Sequence, residues 1–427
     1  MPLPYAQDLR HCFEPAIGFD HAALGVQLAR TAPALARLKA AKGKGTYAFL
    51  DQPDRVDDIA AIAGAAKDLG GFGTIVLLGT GGSSLGARTL AALADGGGGF
   101  WPKGCPRLIV AENVDPFGFD KLLASIDPAD TGVLLVSKSG GTAETLAQAH
   151  AILPRIAAVG ALKDHARAIT EPTDNALARL AKRLGIPILE HPTTLGGRYS
   201  VLSVVGLLPA ALLGLNIVKL RAGARAARDA ALDDPATSLP AQGAALAAAL
   251  AARGRTTTVL CPYVDALGPF GQWFAQLWAE SLGKGGAGTT PVRALGTVDQ
   301  HSQLQLWLDG PADKLVTILT RDSRDKGQRF TREAVGDASL DWLEGRTMGD
   351  VLDVSWRATA ETLARRGRPV RLMTIPTLDE TTLGALLMHF MLETVITAEL
   401  FGVDPFDQPA VEDGKILARK YLKGMNG

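Results

Sequence analysis

Cysteine is scarce: the 427 residues include only Cys12, Cys105 and Cys261, far apart and without CxxC or Cys/His spacing. Neither a disulfide framework nor a zinc site is indicated, and a reducing compartment fits best, so the sequence predicts a cytoplasmic protein. Net charge is missing too, because 44 basic residues offset 44 acidic ones. That balance gives no reason to expect nucleic acid or an anionic membrane as a partner, and a small molecule becomes the default. The N-terminal "MPLPYAQDLRHCFEP" has no apolar core of signal-peptide length. The long apolar run Val201 to Leu215 is too short to cross a bilayer and holds Pro209, so it predicts a buried helix. The seven histidines form no HExxH or comparable cluster, and no metal is expected.

What is present is a globular composition, 47% hydrophobic and 21% charged, on a chain longer than one core usually serves. From Thr74 onward, short apolar runs ("TIVLLG", "RLIV", "GVLLVS", "ARAIT", "IPILE") alternate with helical stretches such as "SLGARTLAALA" and "DNALARLAKRLG". Strands alternating with helices predict an α/β fold with a parallel, doubly wound sheet. After the connection "LDDPATSLP", a second set follows in "TTVLCPY", "KLVTILT" and "VRLMTIP". The expected organisation is two tandem doubly wound α/β domains with mainly parallel sheets, over residues 49–230 and 231–400. A helical N-terminal extension (1–48) and a C-terminal tail helix (401–427) complete it.

Two loops stand where strands of the first domain end. "SKSGGT" carries Ser137, Ser139 and Thr142, and "GTGGSSLG" carries Gly82 and Ser83. Glycines let backbone N–H groups approach a ligand, hydroxyls add donors, and a helix N-terminus adds partial positive charge, a combination that binds phosphate. Taken singly, such loops are as often ordinary caps and turns. Their pairing on one sheet favours the phosphate reading. A dinucleotide site competes, since Glu112 ends the strand "RLIVAE" and has the chemistry to hold a ribose hydroxyl. The G-x-G-x-x-G fingerprint is only partial, however, with Ser84 at its third glycine. A phosphorylated metabolite is the better expectation.

Four later stretches stand out: "GGRYSVLS" with Arg198, "AESLGKGG" with Glu280, "GTVDQHSQLQLWLDG" with His301 and "FDQPAVEDGK" with Lys415. Read singly, each is bland. Glu280 lies off the stripe of Phe270, Phe274, Leu277 and Trp278 and reads as a solvated glutamate. His301 sits at the apparent start of a helix, and Lys415, beside Glu412 and Asp413, reads as a salt-bridged surface lysine. Taken in order with the two hydroxyl loops, from Gly79 to Lys415, these stretches resemble the phosphoglucose isomerase (glucose-6-phosphate isomerase) family, built from two sugar-isomerase domains. Thr80, where isoleucine is common, and Ala410, where glycine often stands, depart from its pattern without touching a matched catalytic side chain.

The resemblance implies metal- and cofactor-independent interconversion of glucose 6-phosphate and fructose 6-phosphate through an enediolate, a step of glycolysis and gluconeogenesis. It implies that Gly82, Ser83, Ser137, Ser139 and Thr142 hold the sugar phosphate and that Arg198 stabilises the enediolate. Glu280 would shuttle the proton between C1 and C2, and His301 with Lys415 would open and close the ring. It further implies a homodimer with His301 supplied across the interface. The chemistry agrees, since one base must reach two adjacent carbons beside a positive group. The alternative is a non-catalytic sugar-phosphate-binding protein, which needs only the two loops. A dehydrogenase using the Gly79 loop ranks behind both.

Overall fold

The computed structural model describes residues 2–13 and 19–425. Residues 1, 14–18, 426 and 427, parts of the expected terminal extensions, lie outside the described residues. Ten strands occur among those described: β1 (Ala6–Asp8), β2 (Thr74–Leu78), β3 (Arg107–Ala111), β4 (Thr131–Val136), β5 (Ala166–Thr170), β6 (Ile188–Glu190), β7 (Thr257–Pro262), β8 (Thr290–Arg293), β9 (Lys314–Arg321) and β10 (Val370–Ile375). They form two five-stranded sheets, ordered β3-β2-β4-β5-β6 and β1-β10-β9-β7-β8. Every pair is parallel except β1 with β10.

The eight runs picked out by apolar character are all strands; β1 and β8 are the two that pattern does not reveal. β8, "TPVR", is a four-residue edge strand with Pro291 inside it, a position that tolerates a missing donor. β1 corrects the expectation of a purely helical N-terminal extension. Although helices His21–Ala29 and Ala32–Ala41 follow it, Ala6–Asp8 adds an antiparallel edge to the second sheet.

Alternation along the central strands shows how the layers meet. Ile75 and Leu77 of β2, and Leu134 and Val136 of β4, join one apolar core that also takes Leu260 of β7 and Leu315 and Leu319 of β9. Their neighbours turn the other way, Val76, Val133 and Leu135 to an outer core beneath Ala143–Ala157, and Val259, Val316 and Ile318 to another beneath Met348–Arg365. The two sheets therefore share a continuous central core. Its axis is the helix Glu380–Phe401, long and apolar enough to cross a membrane but with 89% of its apolar window buried. It packs against Ile217–Asp233, Leu239–Ala251 and Gly268–Leu282. Val204–Leu212, from the expected buried helix, lies in the same core.

One polar network crosses this core. Arg371 of β10 donates from one nitrogen to both oxygens of Glu393 at 2.8 Å and from Nε to Thr317 at 3.1 Å. His389, one turn before Glu393, lies 2.9 Å from it through Nε2 and 2.9 Å from the Tyr5 hydroxyl through Nδ1. A neutral ring protonated on Nε2 satisfies both, with Tyr5 donating to Nδ1. The network fastens the segment before β1 to the central helix. Burial lowers the His389 pKa from its usual 6.5, against the attraction of Glu393. For Glu393, burial pushes the pKa up, but Arg371 and then His389 outweigh it and hold the carboxyl below its usual 4.5.

Both groups bind protons less readily folded than unfolded, so their contribution is present at neutral pH. It falls as the pH drops below about 6.5 for His389 and through the range below about 4.5 for Glu393. Substituting Glu393→Gln leaves Arg371 buried and unpaired, and denaturant unfolding at pH 7 is expected to show a loss of about 3–5 kcal/mol. The variant should also lose the part of the acid-range pH dependence that Glu393 contributes below about 4.5, while the part due to His389 below about 6.5 remains. A change within about 0.5 kcal/mol would show that the network contributes little to stability.

Candidate active site

The two hydroxyl loops stand side by side beyond the carboxyl ends of adjacent strands, β2 and β4. Thr142 is the N-cap of the 15-residue helix Ala143–Ala157, yet its side chain caps nothing. Its Oγ1 instead lies 2.8 Å from Ser137 Oγ. Ser84 likewise precedes the helix Leu85–Asp95 without capping it, and donates to Glu112 at 2.6 Å. The plain-cap reading therefore fails at both helix starts, leaving first-turn N–H groups for an anion. Ser139 is exposed, while Gly82 and Ser83 are half-buried. Glu112 accepts from Ser84 through one oxygen and pairs with Arg88 through the other, which gives its carboxylate a role in holding this loop.

The first loop rests on the segment that carries Arg198. A Cβ on Gly82 would fall 2.3 Å from the carbonyl carbon of Gly197, and the Ser200 hydroxyl donates to the Gly82 carbonyl at 3.3 Å. No side chain fits there. From the other side comes the helix Gly268–Leu282, whose Gln276 side chain crowds Gly81. Gln276 donates to Glu280 Oε1 at 2.9 Å, one helical turn on. Glu280 is thus half-buried between two partners, against the expectation of a solvated glutamate.

Arg198 is the other partner, and it is 3% exposed. Its Nε donates to Ser281 at 2.8 Å, one terminal nitrogen to Glu280 at 3.2 Å and Gln408 at 2.7 Å, and the other to the carbonyls of Pro405 at 2.6 Å and Asp407 at 3.0 Å. Five N–H groups meet five acceptors, the full capacity of a guanidinium. Tyr199 shares Ser281 and the Pro405 carbonyl, and burial pushes its phenol up to about 12, so it remains a neutral donor.

His301 and Lys415 stand apart from this cluster. His301 ends the short 3-10 helix Val298–His301, ahead of the helix Leu304–Asp309 rather than at its start, and it is exposed. Lys415 lies on the helix Glu412–Gly424, none of whose residues is buried, and its Nζ is 2.6 Å from Glu412. Within one chain neither forms a hydrogen bond or ion pair with Arg198 or Glu280 among the described residues. Sequence reasoning missed Gln276, Ser281 and Gln408. The i, i+4 spacing of Gln276 and Glu280 on a recognisable helix was the available signal for the first. Ser281 and Gln408 are joined to Arg198 only by the fold.

Comparison with known proteins shows what this chain is similar to. Residues 60–426 match the family model described as phosphoglucose isomerase. A probable glucose-6-phosphate isomerase of Haloquadratum walsbyi is 40% identical over 378 residues, 88% of this chain and 85% of that one. A glucose-6-phosphate isomerase of Rubrobacter xylanophilus is 42% identical over 351 residues, covering 80% of each. Among solved structures, a hypothetical protein of Thermus thermophilus superposes with a TM-score of 0.88 at 33% identity, covering 98% of this chain and 99% of that one. A glucose-6-phosphate isomerase of Chlamydia trachomatis shares the fold, with a TM-score of 0.76 at 22% identity, over 99% of this chain and 89% of that one. With its ordered motifs, its paired hydroxyl loops and a match that runs through most of its length, this chain belongs to the phosphoglucose isomerase family.

Proposed function

We propose that this chain interconverts glucose 6-phosphate and fructose 6-phosphate, in glycolysis and gluconeogenesis, by moving one proton between C1 and C2, with Glu280 as the base. The observation that carries the reading is the Glu280–Arg198 pair, 3.2 Å apart and set beside two loops whose helix starts are left uncapped. The loops, through Gly82, Ser83, Ser137, Ser139 and Thr142, hold the phosphate. Glu280 removes the proton from C2 and returns it to C1. Each of its oxygens accepts one hydrogen bond, from Gln276 or Arg198, and each keeps a lone pair for the proton. Arg198, with every donor matched, stabilises the negative enediolate by its fixed charge and holds the carboxylate in place. A sugar-phosphate binder without catalysis needs the two loops alone and gives no reason for this pair.

Ring opening falls to His301 and Lys415. The exposure of His301 and its lack of contact with Glu280 support placing it in the site of a second copy, so the working form is a homodimer.

Turnover measured in EDTA with purified protein should persist and should fall ~10²-fold or more in Glu280→Gln while sugar-phosphate binding is retained. An active Glu280→Gln enzyme would remove the base from the scheme. The double variant Ser139→Ala with Thr142→Ala should raise KM far more than it lowers kcat, and an unaltered KM would take the phosphate away from this loop. For the shared site, subunit exchange between Glu280→Gln and His301→Ala proteins should restore about a quarter of wild-type activity, because half of the mixed dimers' sites are intact. A mixture no more active than its components would place His301 in its own chain's site.

A further inference from the structure

The two sheets are wound alike. In the first, the chain passes from β2 to β3 on one side and then crosses to β4 on the other; in the second it passes from β7 to β8 and then crosses to β9. The strand order therefore reverses between β2 and β4 and again between β7 and β9. At such a switch point an open parallel sheet leaves a crevice beyond the carboxyl ends of its strands. The hydroxyl loops occupy the first crevice. The second holds a cavity of about 660 Å³, reached by Tyr263 and Val264 after β7, by Arg321 and Ser323 at the end of β9, and by Gly349 in the first turn of the helix Met348–Arg365. The isomerase reading uses none of these residues.

The charges around this cavity are not balanced within the chain. Arg321 and Lys326 both line it, both are exposed, and neither forms an ion pair among the described residues. The two acids beside them in sequence, and Asp350 in the first turn of the helix Met348–Arg365, are engaged elsewhere. Asp322 pairs with Arg324, Asp325 with Arg329, and Asp350 accepts from the backbone N–H groups of Asp325 and Thr347. One carboxylate, Asp265, also reaches the cavity, which leaves it net positive. The rest of the wall is largely apolar, with Val264, Leu352 and Leu378. Its volume lies in the range of small-metabolite sites, where apolar walls carry a few convergent polar groups.

We propose that this cavity is a second anion site, which takes a small metabolite bearing a phosphate monoester. Arg321 and Lys326 hold the phosphate, and the body of the ligand lies against Val264, Leu352 and Leu378. Where the first crevice grips a phosphate with neutral donors, the second does so with charge. The inference does not depend on the isomerase reading.

Phenyl phosphate, a phosphate monoester with an apolar body, serves as the probe. Calorimetric titration into the full-length Ser139→Ala, Thr142→Ala protein, whose first phosphate site is disabled, should show saturable binding that weakens as salt is raised. Adding Arg321→Gln and Lys326→Gln should weaken it ~10²-fold or more, since two charge-assisted hydrogen bonds are lost. Both substituted side chains are exposed, and circular dichroism of the variant should match that of its parent. Absence of saturable binding, or binding indifferent to the loss of Arg321 and Lys326 in a folded variant, would overturn the site. Isomerase turnover of Arg321→Gln, Lys326→Gln alone is read separately, so failure of one proposal leaves the other standing.

Discussion

A guanidinium buried to 3% exposure sets the terms for this site. Arg198 survives in the interior because Glu280, Ser281, Gln408 and the carbonyls of Pro405 and Asp407 match its five N–H groups. Those acceptors come from the helix Gly268–Leu282 and from the segment after the central helix Glu380–Phe401. Burial of one charge thus joins three distant parts of the chain, and removing one partner of a buried charged pair typically costs about 3–5 kcal/mol. Lys284 strengthens the same junction by pairing with Asp407 at 3.0 Å. The same guanidinium holds the carboxylate and ties the segment 405–408 to it.

That constraint also explains why Arg198 is a poor candidate for gripping the phosphate. All of its donors are in use, so in the proposed scheme the anion is left to the two hydroxyl loops. There the sequence offers conventional capping residues, and the fold declines to use them as caps. Thr142 turns to Ser137 and Ser84 turns to Glu112. A helix whose N-cap side chain bonds elsewhere keeps first-turn donors free, at a cost in helix stability of about 1 kcal/mol. An anion bound at such a helix start offsets that cost.

The parts legible in the sequence are those fixed by local pattern. β4 is six buried residues in a row, and its apolar run announces it. β8 has Pro291 and no such run, and β1 is three residues whose pairing depends on β10 more than 360 positions away. Glu280 shows the same limit at the site. Helical periodicity places it off its own apolar stripe, but cannot foresee that Arg198, 82 positions earlier, closes over it. The Tyr5–His389–Glu393–Arg371 network is equally silent in sequence, because its first contact spans 384 positions. Lys415 was legible as a salt-bridged lysine, since its partner Glu412 is three residues away on the same helix.

The two hydroxyl loops show how the proposed neutral recognition leans on the fold. Lys138 stands between Ser137 and Ser139, yet its ammonium lies 3.6 Å from Glu171, so the loop's one cation is engaged by that carboxylate. What the loop then offers is hydroxyl and N–H groups, whose attraction is short-ranged and directional. Such a grip works only if the backbone holds its shape, and here shape is enforced by contacts that admit no side chain. A Cβ on Gly82 would strike Gly197. One on Gly140, at a φ of +62°, would come within 1.7 Å of Asn175 Oδ1, the oxygen that caps the helix Ala176–Leu184. The glycines that bring backbone donors toward a ligand also lock each loop onto its neighbour. Binding geometry is therefore set by packing before any ligand arrives, and a substitution at either glycine alters the fold and the site together.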